Sequence, residues 1–306
     1  MLLLAMADVR VDYIPGVSPR PLSAFPTVMH GKGVELLEYS LAPFPSVPKC
    51  QCLLLSTVYN LEPLVVDSLK SELQCPIYTV GPSFPHGRLK QNDDQVEDDY
   101  LAWLDKQIKK SVLYVSFGSF CSISDEQMDE IAAGLLQSGA KFIWVARADA
   151  PRLCETCGSG GDGLVVPWCD QLRVLAHEAI GGFLTHCGWS STQEGMFTGV
   201  TFLTFPILMD QEVNSRLMVE DFKVGWRLKG PAGDDGVVKR DEIGGMVRRF
   251  MDGESKEVKE MRLRAEELRQ CCLQAVDTDE AAAGSHEVNF RGFVDFILSC
   301  SDKTST

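Results

Sequence analysis

The stretch FLTHCGWSSTQEG, residues 183–195, carries an apolar run straight into His, Cys, Gly and Trp, then into a Ser-Ser-Thr run suited to start a helix. A strand ending at Thr185, a tight turn containing Gly188 and a helix beginning at Ser190 or Ser191 would leave unpaired backbone N–H groups at one point. The positive end of the helix dipole would point the same way, which makes an anion site. His186 in the turn could donate to a phosphate oxygen, and the serine hydroxyls add donors. Taken by themselves, these residues need do no more than cap a helix and bury a satisfied histidine. Their neighbours decide the matter. SFGS, with Ser116 and Ser119, repeats the pattern with small residues that let a ligand approach the backbone. In VPWCDQ, Trp168 follows a strand and a proline, where its ring could pack in the core or stack on a base, the latter worth about 1–3 kcal/mol. FPILMDQ places Asp210 and Gln211 just after a strand and turn, an acceptor and an amide of the kind hydroxyl-rich ligands need. The same pair would also serve as an N-cap and its first-turn partner.

Elements that could position these residues alternate from residue 112 onward. A β-branched and aromatic run over 112–117 predicts a strand, and Ser124 with Gln127 forms a capping box. Met128, Ile131, Ala132, Leu135 and Leu136 recur at helical spacing up to Gly139, and 141–146 reads as the next strand. Further strands are expected near 164–166, 182–185, 202–205 and 224–228, with helices over 171–177, 191–198 and 211–221 between them. Such alternation predicts an α/β fold, a parallel sheet with helices on both faces, whose ligands bind beyond the carboxyl ends of the strands. Two charged amphipathic helices should follow over 240–251 and 256–274, and a last one over 285–298. Ahead of the acidic run 91–99, a strand (53–57), a helix (61–73) and a strand (77–81) are expected. The first fifty residues are rich in proline and lack a period.

The segment from Trp168 to Gln211, WCDQLRVLAHEAIGGFLTHCGWSSTQEGMFTGVTFLTFPILMDQ, resembles the complete signature box of plant UDP-dependent glycosyltransferases in length, both ends and its HCGW centre. The resemblance extends over 112–298 and, more weakly, back to YIPGVSP at 13–19. It implies a GT-B fold: a complete Rossmann-like domain over 111–284, an incomplete N-terminal α/β, acceptor-side domain over 1–85, an acidic linker over 86–110, and a C-terminal helix and polar tail over 285–306. It also implies site roles. Trp168 would stack on uracil and the Cys169 backbone would pair with its edge, while Gln171 and Glu194 would take the ribose hydroxyls. Ser116 or Ser119, His186 and Ser191 would hold the diphosphate, with the helix amides beyond Gly188. The Trp189 backbone and the side chains of Asp210 and Gln211 would orient the sugar, and Gln at the box's last position is associated with glucose. The family usually has Asn where this chain has the shorter Ser190.

What is implied, then, is inverting transfer of glucose from UDP-glucose to a hydroxyl of a small lipophilic acceptor such as a flavonoid, without a metal. The family's base is a histidine near the start of the chain, and no residue here aligns with it. His30 sits in a loop-like setting, and no catalytic base is assigned. The expectation is therefore a shortened chain of impaired activity, or a catalytically inactive nucleotide-sugar binder, with apolar surface and a strand edge left uncovered.

Bulk properties agree with this picture. The chain has 306 residues, 45% hydrophobic and 24% charged, and its net charge of -14 argues against nucleic acid, which is bound by clustered Lys and Arg. Eleven irregularly spaced cysteines read as reduced thiols of a cytosolic protein. A monomer is expected. MLLLAMA is too short for a membrane span. CETC at 154–157 reads as part of a solvated Gly-rich loop, since no second ligand pair follows. GSGGDG at 158–163 fits a dinucleotide fingerprint by letter but precedes a strand rather than a helix. Asp277-Thr-Asp279 reads as a solvated turn rather than a metal-binding D-x-D.

Overall fold

The computed structural model describes residues 9–29, 34–85, 99–119, 123–157, 161–230, 236–278 and 283–303. Its first part is made of short elements: the antiparallel pair β1 (Arg10–Val11) and β2 (Arg20–Pro21), then α1 (Leu37–Leu41), β3 (Leu53–Leu55), α2 (Pro63–Glu72) and β4 (Ile77–Thr79). Strands β3 and β4 pair in parallel with each other and, among the described residues, with nothing else. Leu54 on β3 and Leu64 on α2 are exposed, as are Tyr39 and Phe44.

The second part begins with α3 (Asp99–Leu104) and continues through β5 (Val112–Ser116), α4 (Asp125–Ser138), β6 (Lys141–Val145), α5 (Ala150–Cys157), β7 (Gly163–Val166), α6 (Gln171–Ala176) and β8 (Ile180–Thr185). It ends with α7 (Trp189–Thr198), β9 (Phe202–Thr204), α8 (Gln211–Arg216), β10 (Gly225–Arg227), α9 (Arg240–Met251), α10 (Lys256–Ala275) and α11 (Ser285–Lys303). Six parallel strands lie in the order β10-β9-β8-β5-β6-β7. The chain leaves β5 outward through β6 and β7, then returns to the other side of β5 at β8, so the strand order reverses between β5 and β8. Their carboxyl ends therefore open a crevice, the usual ligand position in such sheets. Every residue of β5 and β8 is buried, as expected for central parallel strands covered on both faces. Phe142, Trp144, Phe183, Phe202, Phe205 and Phe250 are fully buried around them, each contributing roughly 1.5–3 kcal/mol.

Only half of the expected capping box forms: Ser124 Oγ accepts from the Gln127 N–H at 3.2 Å, but the buried Gln127 side chain pairs with the Val238 backbone through both Nε2 (3.0 Å) and Oε1 (2.9 Å) instead of returning to Ser124. Gly139 closes α4 at φ +70. Several expectations change. CETC is not loop but the last turn of α5, an amphipathic helix that turns Leu153 and Cys157 into the core. The Cys154 thiol donates to the Val165 carbonyl, and burial pushes the Cys157 thiol up to about 11, which leaves it inert. The 99–110 part of the expected linker is not linker-like. Tyr100 and Leu104 of α3 are buried in the core, because α3 is an amphipathic turn with an aromatic and an aliphatic side chain on one face. The last helix does not stand apart: α11 crosses back onto β4, where Tyr78 meets Phe293 edge-on at 6.0 Å and His286 Nδ1 lies 3.1 Å from the Gly81 carbonyl. The helix expected over 211–221 is continuous but loosens into a π-turn at Leu217–Asp221. Among the described residues no helix is long and apolar enough to cross a membrane. His30, His86, Asp279 and most of the acidic run lie outside the described residues.

Candidate functional site

Ser116, the last residue of β5, is buried and stands in register with Thr185, the last of β8. Beyond them the chain makes two tight loops, 117–119 and 186–188, and the His186 ring is caught between them. A Cβ on Gly118 or on Gly188 would each fall 2.5 Å from His186 Nε2, so the slot exists only because both positions are glycine. Gly118 also takes φ +74, which a side chain resists. His186 Nδ1 is buried with no hydrogen-bond partner of ordinary geometry among the described residues. Burial pushes this imidazole down to about 4 against a weaker opposing pull from Asp210 and the Ser116 backbone, so the ring is neutral at pH 7.

That shift has a sign that can be tested. The unfolded chain takes up the proton near 6.5 and the folded chain only near 4, so stability is full above about pH 6.5 and drains away as pH falls through that window. We expect this ring to cost the fold up to about 3 kcal/mol by pH 4. Thermal melts between pH 7 and 4.5 should therefore fall less steeply for His186→Gln than for the natural chain.

Helix α7 begins at Trp189 with Gly188 as N-cap, and no side chain caps it. Ser190 and Ser191 thus lie inside the first turn rather than before it, and the expected start at Ser190 or Ser191 moves to Trp189. The uncapped amides face the crevice beside His186, an arrangement that holds anions. Ser190 is exposed and Ser191 buried.

On the other flank, Trp168 stands 64% exposed just after β7 and Pro167. Cys169 behind it is buried, with its sulfur 3.6 Å from the Tyr114 hydroxyl. That hydroxyl donates to Gln171 Oε1 at 3.0 Å, and Gln171 Nε2 donates to Ser191 Oγ at 3.0 Å and to Glu194 Oε2 at 2.5 Å. Three separately expected residues, Gln171, Ser191 and Glu194, are thereby joined in one cluster. Burial raises the Glu194 carboxyl, and the hydrogen bond from Gln171 opposes the rise. Tyr114 was missed by the sequence reading. The signal for it is a phenolic hydroxyl inside the apolar run VLYVSF, two residues before Ser116 and so on the same strand face.

Ser119 is exposed and lines a cavity of about 210 Å3 with Phe117, Gly118 and Arg147. Arg147, at φ +53 after β6, donates from Nε to the Gly118 carbonyl at 2.9 Å and braces that loop from outside. Asp210 is exposed, and Asn214 Nδ2 bridges its carboxylate (2.8 Å) to the Cys187 carbonyl (2.9 Å), tying it to the histidine loop. Gln211, by contrast, is buried. Its Oε1 accepts from the Ile207 and Leu208 N–H groups at 2.8 and 3.1 Å, so its carbonyl end shapes its own turn. Thr27 grips the same turn from outside, through Met209. Trp189 Nε1 and Gln193 Nε2 both donate to the Ser56 carbonyl at 2.7 Å, which locks the end of β3 onto α7. A second cavity, about 340 Å3 and walled mostly by Leu55, Val65, Val66, Leu69, Val213 and Leu217, opens beside Trp189 and Asp210. Among the described residues no three His, Cys, Asp or Glu side chains gather as a metal-binding group.

The six-stranded parallel sheet and its crevice define a Rossmann-like α/β domain, and comparisons with known proteins narrow the class. Residues 87–226 match the family described as UDP-glucoronosyl and UDP-glucosyl transferase. The chain is 44% identical to UDP-glycosyltransferase 87A2 of Arabidopsis thaliana over 94% of its own length and 62% of the relative's. It is 34% identical to crocetin glucosyltransferase 2 of Crocus sativus over 92% and 63%. Among solved structures, Os79 from O. sativa in complex with UDP is similar at a TM-score of 0.80 and 29% identity, over 92% of this chain and 64% of that one. Phytolacca americana UGT2 complexed with UDP-2fluoro-glucose and pterostilbene is similar at 0.76 and 31%, over 90% and 61%. The chain belongs to the plant UDP-dependent glycosyltransferases, of GT-B fold, and spans somewhat under two thirds of the length of these relatives.

Proposed function

We propose that the crevice binds a UDP-sugar, with glucose the preferred sugar. The observation that carries this reading is the cluster that joins Gln171, three residues after the exposed indole of Trp168, to Glu194 and Ser191 of α7, whose uncapped start directly follows the histidine slot. Uracil stacks on Trp168 and meets the Cys169 backbone, the ribose hydroxyls take Gln171 and Glu194, and the diphosphate rests on the α7 amides with Ser191, His186 and the Ser116–Ser119 loop. Asp210 and the Trp189 backbone orient the sugar. Negative charge developing on the departing diphosphate is stabilised by donors already in place, which act without reorganising. The relatives' names and the UDP complexes of Os79 and Phytolacca americana UGT2 support the donor. The apolar cavity beside Asp210 suits a small lipophilic hydroxyl compound such as a flavonoid.

We further infer that this chain binds donor without efficient turnover. Each described histidine is engaged away from an acceptor hydroxyl: His186 in its glycine slot, His177 on Asp105, and His286 on Gly81. Titration calorimetry with UDP, UMP, uridine and ADP tests the first proposal, and a flavonol glucosylation assay tests the second. UDP should bind more tightly than ADP, equally well with a chelator present, and robust glucosylation would refute the turnover claim. Trp168→Ala should lower UDP affinity by about 5- to 100-fold, the loss of one base stack, while leaving the circular dichroism unchanged because the ring supports no core packing.

A further inference from the structure

Ahead of the β3–β4 pair two thiols meet. Cys50 precedes β3 and Cys75 precedes β4, and the parallel register Leu53↔Ile77 brings these leads side by side. The Cys50 thiol donates to Cys75 Sγ across 3.4 Å. Both residues are half-buried, open enough for a small reagent to reach. Adjacent strands run about 4.8 Å apart, within the Cα separation that a disulfide spans, so the sulfurs need approach by only about 1.4 Å. Burial pushes Cys157 up to about 11 and Cys272 up to about 12, and raises Cys187 further, which removes these three from exchange chemistry. The hydrogen bond to Cys75 raises the Cys50 thiol as well, and what sets this pair apart from the half-buried Cys52, Cys154, Cys271 and Cys300 is the direct sulfur–sulfur contact.

We propose that Cys50 and Cys75 form a reversible disulfide, a redox modification site that staples the β3–β4 pair and takes low-molecular-weight disulfides such as oxidised glutathione as its oxidant. The step balances. One of the two thiolates attacks the glutathione disulfide, forming a mixed disulfide and releasing one glutathione thiolate. The second protein thiolate then attacks the mixed disulfide at the protein sulfur and expels the other glutathione. Two protein thiols lose two electrons and two protons, and one glutathione disulfide becomes two glutathiones. The geometry places Cys75 as the attacking sulfur, since its Sγ accepts the Cys50 S–H hydrogen bond, which favours a thiolate at the acceptor.

The crosslink has something to stabilise. It closes a loop between positions 25 residues apart that contains β3 and α2, and it pins the start of the two-stranded β3–β4 pair, which is marginal by itself and paired with no other described strand. The far end of β3 leads to Ser56, whose carbonyl holds Trp189 and Gln193, so the staple steadies the strand that docks on α7.

The test incubates the natural chain with glutathione buffers of increasing oxidised fraction, quenches with acid and alkylating agent, and maps peptides by mass spectrometry. The expected result is a single Cys50–Cys75 crosslinked peptide that grows with the oxidised fraction and disappears on adding dithiothreitol, together with a melting midpoint a few degrees higher in the crosslinked form. Cys50→Ser should halt the reaction with one glutathione on Cys75, a readout that does not depend on any effect of the crosslink on stability. Oxidation spread evenly over the half-buried Cys52, Cys271 and Cys300, or crosslinks favouring Cys52, would overturn the proposal, and so would a Cys50→Ser chain that takes up no glutathione.

Discussion

Replacing Glu212 by alanine should destabilise the protein by about 3–5 kcal/mol, the cost of removing one partner from a buried ion-pair network. The Glu212 side chain is fully buried, and its carboxylate meets Arg216 Nε at 2.7 Å and both terminal nitrogens of Arg227 at 3.1 Å. Those arginines keep only 17% and 21% side-chain exposure; without the carboxylate Arg227 is left mostly buried without its partner, while Arg216 keeps only its second, more exposed partner, Glu220, at 2.8 Å. The consequence is local as well as global. Arg227 ends β10, at the sheet's edge, while Glu212 lies in the first turn of α8, directly after Asp210 and Gln211. The triad therefore fixes the helix that presents those two residues. Urea unfolding should show the full loss for Glu212→Ala and a smaller one for Glu212→Gln, which keeps the volume and one acceptor. Lys259→Ala, which breaks an exposed pair with Glu254, should barely move the midpoint.

Glu212 also shows where sequence reading stops. In FPILMDQE the acid and amide drew notice because they follow a strand and turn. Nothing in their spacing separates an exposed Asp210 from a buried Gln211, or marks Glu212 as the centre of a charge network. The parallel sheet was legible because each of its strands is a short apolar run next to a capping or breaking signal, as with VLYVSF, Ser124 and Gly139. The crevice followed from that alternation alone. Contacts between distant parts left no periodic trace: Trp189 to Ser56 spans 133 positions, and Asn289 to Thr79 spans 210. The CETC misreading has a similar cause. A neighbouring glycine run suggested loop, whereas burial of Leu153 and Cys157 against the sheet outweighed local propensity.

Gly118→Ala should weaken UDP binding by roughly ten- to a hundredfold, the range expected when a charge-assisted hydrogen bond worth about 1.5–3 kcal/mol is lost. Two separate effects act at this position. The new methyl would sit 2.5 Å from His186 Nε2, and the backbone at φ +74 resists any side chain, costing about 1–2 kcal/mol. Gly188 separates them. Its φ is −60, ordinary for alanine, yet its Cβ would also fall 2.5 Å from the same nitrogen. The ring cannot yield toward either glycine without meeting the other, so each substitution must drive it from the slot or bend the loop that carries it. Gly188→Ala should therefore reproduce the binding loss with little of the stability loss seen in Gly118→Ala. In a His186→Ala background the steric conflict disappears. There Gly188→Ala should have almost no further effect on UDP affinity, while Gly118→Ala should still lower the melting midpoint through its backbone. A double-mutant cycle built on UDP affinity would thus show strong coupling between His186 and each glycine. Additive losses would mean that the two glycines act on the ligand by their own backbone and not through the ring between them.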